Sequence, residues 1–502
     1  MLRRDLLKLL AGGAIAGLAG CQRTDAAATP QALLELDGIA LADLINSGNI
    51  SALDAVQASL AQIEALNPRL NAVTFHDSER SLAQAGQTKG LLAGVPTLLK
   101  DLNAYADMPW TRGSRLFADA RASESDQSDY TNRLLGSGSI VLGKTNTPEF
   151  GLLPTTEPAL HGPTRNPWNL NHSAGGSSGG AAAAVAARLV PFAQCGDGGG
   201  SIRIPAALCG VFGLKPSRGR FPDQGYGVQA WPISIRHVVS RSVRDSALVL
   251  ALTERTDAAS DMLPVGFIEP SRVRPLRIAI TMNSLYGAPD AEVIDAVTRT
   301  ASVLETLGHQ LEIVEATPLA DAAFAEDFLT LWQATASGIA DQVRRLVGSG
   351  NSMSGLLEPF TLGLAAGYAK RPKNALGQAQ AGLANYAKNV RSFLGTYDAW
   401  LTPVTPQPAP AIGQMAPDLD FDVLLERVSR FAAYTPLHNA AGTPAMSVPA
   451  GLSANGLPIG VQLAGDLGAE ATLFELAYQL ERAQPWKTRL PPTHTTPHQE
   501  TL

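Results

Sequence analysis

Between residues 31 and 75 the apolar positions fall at helical spacing. Ala40, Leu44 and Ile45, then Leu53, Val56 and Leu60, line one face of a helix, and Asn67-Pro68 is expected to stop the run. A change of period follows. After Gly94-Val95-Pro96 the short apolar run Thr97-Leu98-Leu99 ends on Lys100-Asp101, and Ser139–Leu142 is β-branched and apolar up to Gly143, as in a buried strand. Ala181–Ala187 is the strongest local helix former in the chain. Such alternation predicts an α/β fold, a sheet covered by helices. From Asp290 to Gly395 helical patterns dominate and suggest an insertion over the sheet. Prolines and glycines punctuate short apolar strands between Pro403 and Pro458, and Ala469–Arg482 closes as an amphipathic helix. No internal repeat and no linker interrupts Pro30 to Pro485.

Composition supports a large core and narrows the partners. Of 502 residues, 45% are apolar, which excludes a disordered chain, and 47 glycines with 34 prolines promise many tight turns. The net charge of −6, with no basic run, disfavours nucleic acid. The first 20 residues read as an export signal: Arg3-Arg4 resembles a twin-arginine start, and the apolar run Leu9–Gly20 is too short to span a bilayer. Leu18-Ala19-Gly20-Cys21 resembles a lipobox, which would lipidate Cys21 and tether the protein to the bacterial cell envelope, on the periplasmic side. Residues 21–30 then form a flexible tether, 31–490 the globular body and 491–502 a tail. Cys195 and Cys209 lie in small, apolar surroundings and read as buried, unpaired thiols.

Three motifs mislead. Gly138–Thr145 fits the G-x-x-x-x-G-K-T phosphate loop, yet its middle is a strand and Pro148 leaves no room for the helix such a loop must enter. Gly176–Gly180 fits G-x-S-x-G, which would make Ser178 the nucleophile of an α/β-hydrolase-type esterase. The segment before it, Thr164–Ala174, is polar and Pro-broken rather than a strand, and the available histidines are His438, His494 and His498. His494 and His498 have metal-ligand spacing on a helix, but the surrounding prolines oppose one; no metal and no cofactor are expected.

The chemistry concentrates in Asp197-Gly198-Gly199-Gly200-Ser201-Ile202-Arg203. Glycines before a serine let successive N–H groups converge, as an oxyanion requires, with the hydroxyl at the rim. No histidine is near, but a lysine whose burial deprotonates it can serve as base. Lys100 ends an apolar run; Lys144 also follows a strand, and spacing does not separate the two.

Long segments in fixed order resemble the amidase signature family. They are Gly94–Asp101, Gly143–Phe150, Gly162–Trp168, Gly175–Gly180 running through Asp197–Arg203 to Gly213–Pro216, Val243–Asp245, Gly442–Pro444 and Gly456–Gly460, covering about Ile39 to Glu481. The resemblance implies one domain, with 31–490 catalytic and a mixed β-sheet sandwiched between α-helices. It implies Ser201 as nucleophile, Lys100 rather than Lys144 as base, and Ser177 as the proton carrier between them, with a cis Gly176–Ser177 bond. The N–H groups of Gly198, Gly199, Gly200 and Ser201 would form the oxyanion hole, braced by Asp197 and Arg203, with Ser178 alongside. One departure is Gly196-Asp197-Gly198, where the family often has Thr-Asp-Thr. Cys195–Ser201, Lys215–Arg220 and Gly162–Trp168 look most like the branch of 6-aminohexanoate cyclic-dimer hydrolases.

The expected reaction is hydrolysis of a small carboxylic amide, apolar or linear-chain, through an acyl-serine. A lipoprotein that binds an amide without turnover is the alternative from another class, and the intact serine–serine–lysine set opposes it. Export predicts that the mature protein partitions with membranes through an acylated Cys21. Mass spectrometry of membrane-fraction protein finding Cys21 unmodified would contradict this.

Overall fold

The computed structural model describes residues 29–222, 233–257, 260, 262–271, 274–314, 321–348 and 352–494. The export segment with Cys21, and His498, lie outside them. Thirteen strands occur among the described residues. In chain order they are β1 (Val73–His76), β2 (Pro96–Lys100), β3 (Ile140–Thr145), β4 (Arg165–Asn166), β5 (Asn169–Ser173), β6 (Phe192–Asp197), β7 (Phe212–Lys215), β8 (Ile235–Ser240), β9 (Arg277–Ile280), β10 (Gln310–Ile313), β11 (Ala399–Pro403), β12 (Ala445–Leu452) and β13 (Pro458–Ala464). Eleven form one sheet in the order β1-β3-β2-β6-β8-β7-β12-β13-β11-β9-β10. It is mixed: β2 runs parallel to β3 and β6, and β9 parallel to β10 and β11, while the central pairs are antiparallel.

The inner strands of the sheet are buried on both faces, so their apolar residues are continuous rather than alternating, and successive residues serve opposite cores, while the edge strand β10 is largely exposed. On β2, Leu98 packs with Val56, Ile63 and the alanines of the helix Gly179–Ala186. Leu99 joins the other core, with Leu250 and Phe474 of the helices Val243–Thr253 and Glu470–Ala483. Helices therefore cover both faces, the expected sandwich. The helices Ala322–Val347, Pro359–Ala369 and Ala375–Leu394 form a further layer with cores of their own around Phe360 and Trp400.

Several local expectations change. The 31–75 run is three helices, Pro30–Glu35, Gly38–Asn46 and Ala52–Leu70, followed by β1. Asp37 caps the second, and Ser51 with Asp54 forms a capping box on the third. The third helix passes through Pro68 and ends at Asn71 in the left-handed conformation, because Asn67 Oδ1 accepts the N–H groups of Ala72 and Val73 and staples the reversal from inside the last turn. The strand after Ser139 does not stop at Gly143 but runs on to Thr145. Between Pro403 and Pro458 the helices Phe421–Phe431 and Pro436–Ala441 precede the strands. Within the insertion, β10 pairs into the sheet.

One glycine shows how closely the layers meet. Gly180 lies in the helix Gly179–Ala186, where alanine would ordinarily be better by about 1 kcal/mol. A Cβ there would sit 2.5 Å from the Ala72 carbonyl oxygen and closer still to the Asn146 amide nitrogen, both backbone atoms that cannot swing away. Gly180→Ala should therefore destabilise by about 1–3 kcal/mol despite its better propensity. A thermal melt in which Gly180→Ala unfolds at or above the wild-type temperature would contradict this packing.

Candidate active site

Parallel neighbours β2 and β6 end side by side and carry the site on their C-terminal ends. Strand alternation puts Lys100 on the face of Leu98, the one that holds the helix Gly179–Ala186. That helix begins just after Ser177-Ser178, so the lysine and both serines meet over the end of the sheet. Lys100 Nζ lies 2.6 Å from Ser177 Oγ and 3.0 Å from Ser178 Oγ. Ser178 Oγ in turn donates to the Gly196 carbonyl at 3.2 Å. The Gly176–Ser177 peptide is cis, as the resemblance implied.

Lys100 is 1% exposed, and among the described residues no carboxylate lies within ion-pair distance of its ammonium. Burial pulls its pKa down from the ordinary 10.5 to about 7, only partly opposed by the more distant Cys195 and Asp197. Lys144 differs. It is equally buried, but its Nζ stands 3.6 Å from Asp101 Oδ1 and donates to the Asn103 carbonyl, and it does not line the cavity. Burial lowers its pKa too, against the opposing pull of Asp101.

Ser201 is half-buried at the turn between β6 and the helix Arg203–Cys209, and it lines the same cavity as Lys100 and Ser177. Its hydroxyl makes no hydrogen bond to Ser177. The loop before it is held from behind. Arg203 reaches Asp197 through Nε at 3.0 Å and Nη2 at 2.9 Å, and the Ile202 N–H adds a bond at 3.1 Å. Burial alone would raise the Asp197 carboxyl, but the Arg203 charge and its hydrogen bonds outweigh it and hold the group well below the usual carboxylate range. Gly200, expected among the oxyanion donors, is a correction. At φ +128° its N–H turns away from the cavity and donates to Asp197 Oδ1 at 2.7 Å. Gly198, Gly199 and Ser201 line the cavity, and their N–H groups make no hydrogen bond among the described residues. Gly196 and Gly198, which replace the threonines, also line it.

The rival motifs fall away on geometry. The Asn169–Ser173 stretch before the G-x-S-x-G pattern is a strand after all, but it pairs with β4 and bridges to Ala411, outside the large sheet. Ser178 Oγ is fully buried between Lys100 and Gly196, and His438 faces Thr443 instead. In the phosphate-loop pattern, Ile140–Thr145 is strand β3 and the next element is only the 3-10 turn Glu149–Gly151. Cys195 and Cys209 are free and buried.

The cavity encloses about 840 Å³. Its far wall comes from the helix Ala322–Val347, with Phe324, Phe328, Trp332 and Ile339, facing Phe150, Leu152 and Ile204. Residues that sequence reasoning did not single out brace the loop: Asn439 and Gln462 accept from Arg203 at 2.6 and 2.7 Å, and Thr435 donates to the Gly199 carbonyl at 2.7 Å. The available signal was Asn439 standing just ahead of Gly442-Thr-Pro444.

Comparison with known proteins agrees with this geometry. The family model "Amidase" matches residues 54–474. The chain is 40% identical over 459 residues to "Putative amidase AmiC" of Mycobacterium tuberculosis, spanning 91% of this chain and 96% of that protein. It is 35% identical over 484 residues to the 6-aminohexanoate-cyclic-dimer hydrolase of a Pseudomonas species, spanning 91% and 96%. The solved structure of a 6-aminohexanoate cyclic dimer hydrolase complexed with substrate superposes with a TM-score of 0.84 at 32% identity, covering 92% of this chain and 100% of that one. The chain belongs to the amidase signature family and is an amidase, a hydrolase of carbon–nitrogen bonds.

Proposed function

We propose that the protein hydrolyses an apolar carboxamide through an acyl-Ser201 intermediate, with Ser177 and Lys100 moving the protons. The observation that carries this reading is Lys100, buried without a carboxylate and 2.6 Å from Ser177 on the cavity that Ser201 also lines. Above about pH 7 its amine is neutral and offers one lone pair. One Lys100 N–H is engaged by Ser178, and the Ser177 hydroxyl at 2.6 Å is within reach of the lone pair.

The Ser201 hydroxyl attacks the substrate carbonyl carbon as its proton passes to Ser177 and the Ser177 proton passes to Lys100. The oxygen that becomes negative is received by the N–H groups of Gly198, Gly199 and Ser201. When the C–N bond breaks, Lys100 returns its proton through Ser177 to the departing amine. Water, activated by the same relay, then cleaves the ester and restores Ser201. The open Ser201–Ser177 contact fits a relay that tightens when substrate arrives.

Apolar walls favour an aryl or linear aliphatic chain on the substrate. Phe150, Leu152, Phe328 and Trp332 can bury such a group, and Arg112 and Asp341 place charges elsewhere on the lining. The relative named for a cyclic dimer of 6-aminohexanoate points to amides of the same kind.

The division of labour is tested by trapping with an alkyl fluorophosphonate and mapping the modified peptide. Wild type should carry the label on Ser201. Ser201→Ala should lose labelling and about 10⁴-fold or more of activity, Ser177→Ala should keep a slow remnant, and the double variant should be little worse than Ser201→Ala. A label on Ser177 or Ser178, or persistent labelling of Ser201→Ala, would refute the assignment.

A further inference from the structure

In a trans peptide the carbonyl and the N–H point in opposite directions, so holding one aims the other. Two such peptides lead up to Ser201. The carbonyl of Asp197 accepts from Asn439 Nδ2 at 3.0 Å, which turns the Gly198 N–H the other way. The next held plane is Gly199–Gly200. Its carbonyl accepts from Thr435 Oγ1 at 2.7 Å, while its N–H donates to Asp197 Oδ1 at 2.7 Å. Pinned at both ends, this plane cannot flip, and it lies between the two remaining donors, Gly199 N–H and Ser201 N–H.

Thr435 and Asn439 are four residues apart, at the start and within the short helix Pro436–Ala441. Both are buried. Asn439 Nδ2 also reaches Asp197 Oδ1 at 2.9 Å and the Ile233 carbonyl at 3.1 Å, while its Oδ1 accepts from Arg203 at 2.6 Å. A Cβ on Gly200 would collide with the Thr435 hydroxyl, so the two segments are in direct contact. Ala432, Ala433 and Pro436 of the same stretch line the cavity.

We propose that Asn439 and Thr435 are positioning residues for the oxyanion-binding loop: Asn439, on the Asp197 carbonyl, aims the Gly198 N–H, and Thr435, on the Gly199 carbonyl, fixes the Gly199–Gly200 plane that separates the Gly199 and Ser201 N–H groups. They touch no reacting atom, and the inference rests on the Ser201 reading above. Losing one oxyanion donor outright costs about 10²- to 10³-fold, so misaiming the set should cost about 10- to 100-fold.

The test measures the inactivation rate constant kinact and the affinity KI of an alkyl fluorophosphonate on the full chain. Thr435→Val, which keeps shape and removes the hydroxyl, should lower kinact about 10- to 100-fold and leave KI within about 2-fold. Thr435→Ser should restore kinact to within about 3-fold of wild type, and Asn439→Asp, which turns an oxygen toward Asp197, should fall at least as far as Thr435→Val. If Thr435→Val does not fold, Thr435→Ala carries the same expectation. Labelled wild-type Ser201 with unchanged kinact in the hydroxyl-free variant, or no rescue by serine, overturns this inference alone. Wild type that takes no label on Ser201 overturns the Ser201 reading and this inference with it.

Discussion

A lysine carried into the end of the sheet with no carboxylate beside it sets the terms for the rest of the site. Lys100 binds a proton readily in the unfolded chain, where its pKa is near 10.5, and gives it up in the native protein near pH 7. Between those values the unfolded state holds the extra proton, so stability rises with pH across that window. The full penalty, on the order of a few kcal/mol, is present below about pH 7. Nothing in the fold's architecture requires this cost. Leu98 and Leu99 already serve the two cores, and a methionine at position 100 would sit more easily. The penalty is intelligible as the means of keeping a basic amine neutral beside Ser177.

Lys215 is buried as well, away from the cavity, and donates to the Pro216 carbonyl at 2.8 Å; three other buried charges are paired. Lys144 faces Asp101, Arg203 grips Asp197, and Arg220 lies between Glu254 and Glu470. Each pair recovers part of its desolvation cost and adds rigidity. Around the proposed nucleophile the Asp197–Arg203 charges behind the loop are paired and fixed, while Lys100, which unlike Lys215 lines the cavity, stands 2.6 Å from Ser177. The Asp197–Arg203 pair, Thr435 and Asn439 each hold part of the loop backbone, and Gly198, Gly199 and Ser201 line the cavity.

Much of this was legible from residue types. The glycine run before Ser201 marked a backbone free to converge its N–H groups, and the apolar stretch before Lys100 marked burial. The choice between Lys100 and Lys144 was not legible by spacing, because both follow strands. The two differ in their surroundings: Leu99 stands opposite Lys144, and Asp101, just past the end of β2, lies 3.6 Å from the Lys144 ammonium. Gly200 looked equivalent to its neighbours in sequence, and only its backbone angle sends its N–H to Asp197. Asn439 lies more than 200 residues from the loop it braces, so no local pattern could place it there. The helices of 322–394 were recognisable as helices, but which face of Ala322–Val347 would line a cavity depends on how the insertion packs.

The central claim, that Lys100 is held neutral near physiological pH, is most directly tested by titration. In protein carrying ¹³C at lysine Cε, the Lys100 resonance is identified by its loss in Lys100→Met and followed by NMR from weakly acid to alkaline pH. The account predicts an inflection at about pH 7. An inflection above about pH 9, close to that of a free lysine, would contradict it.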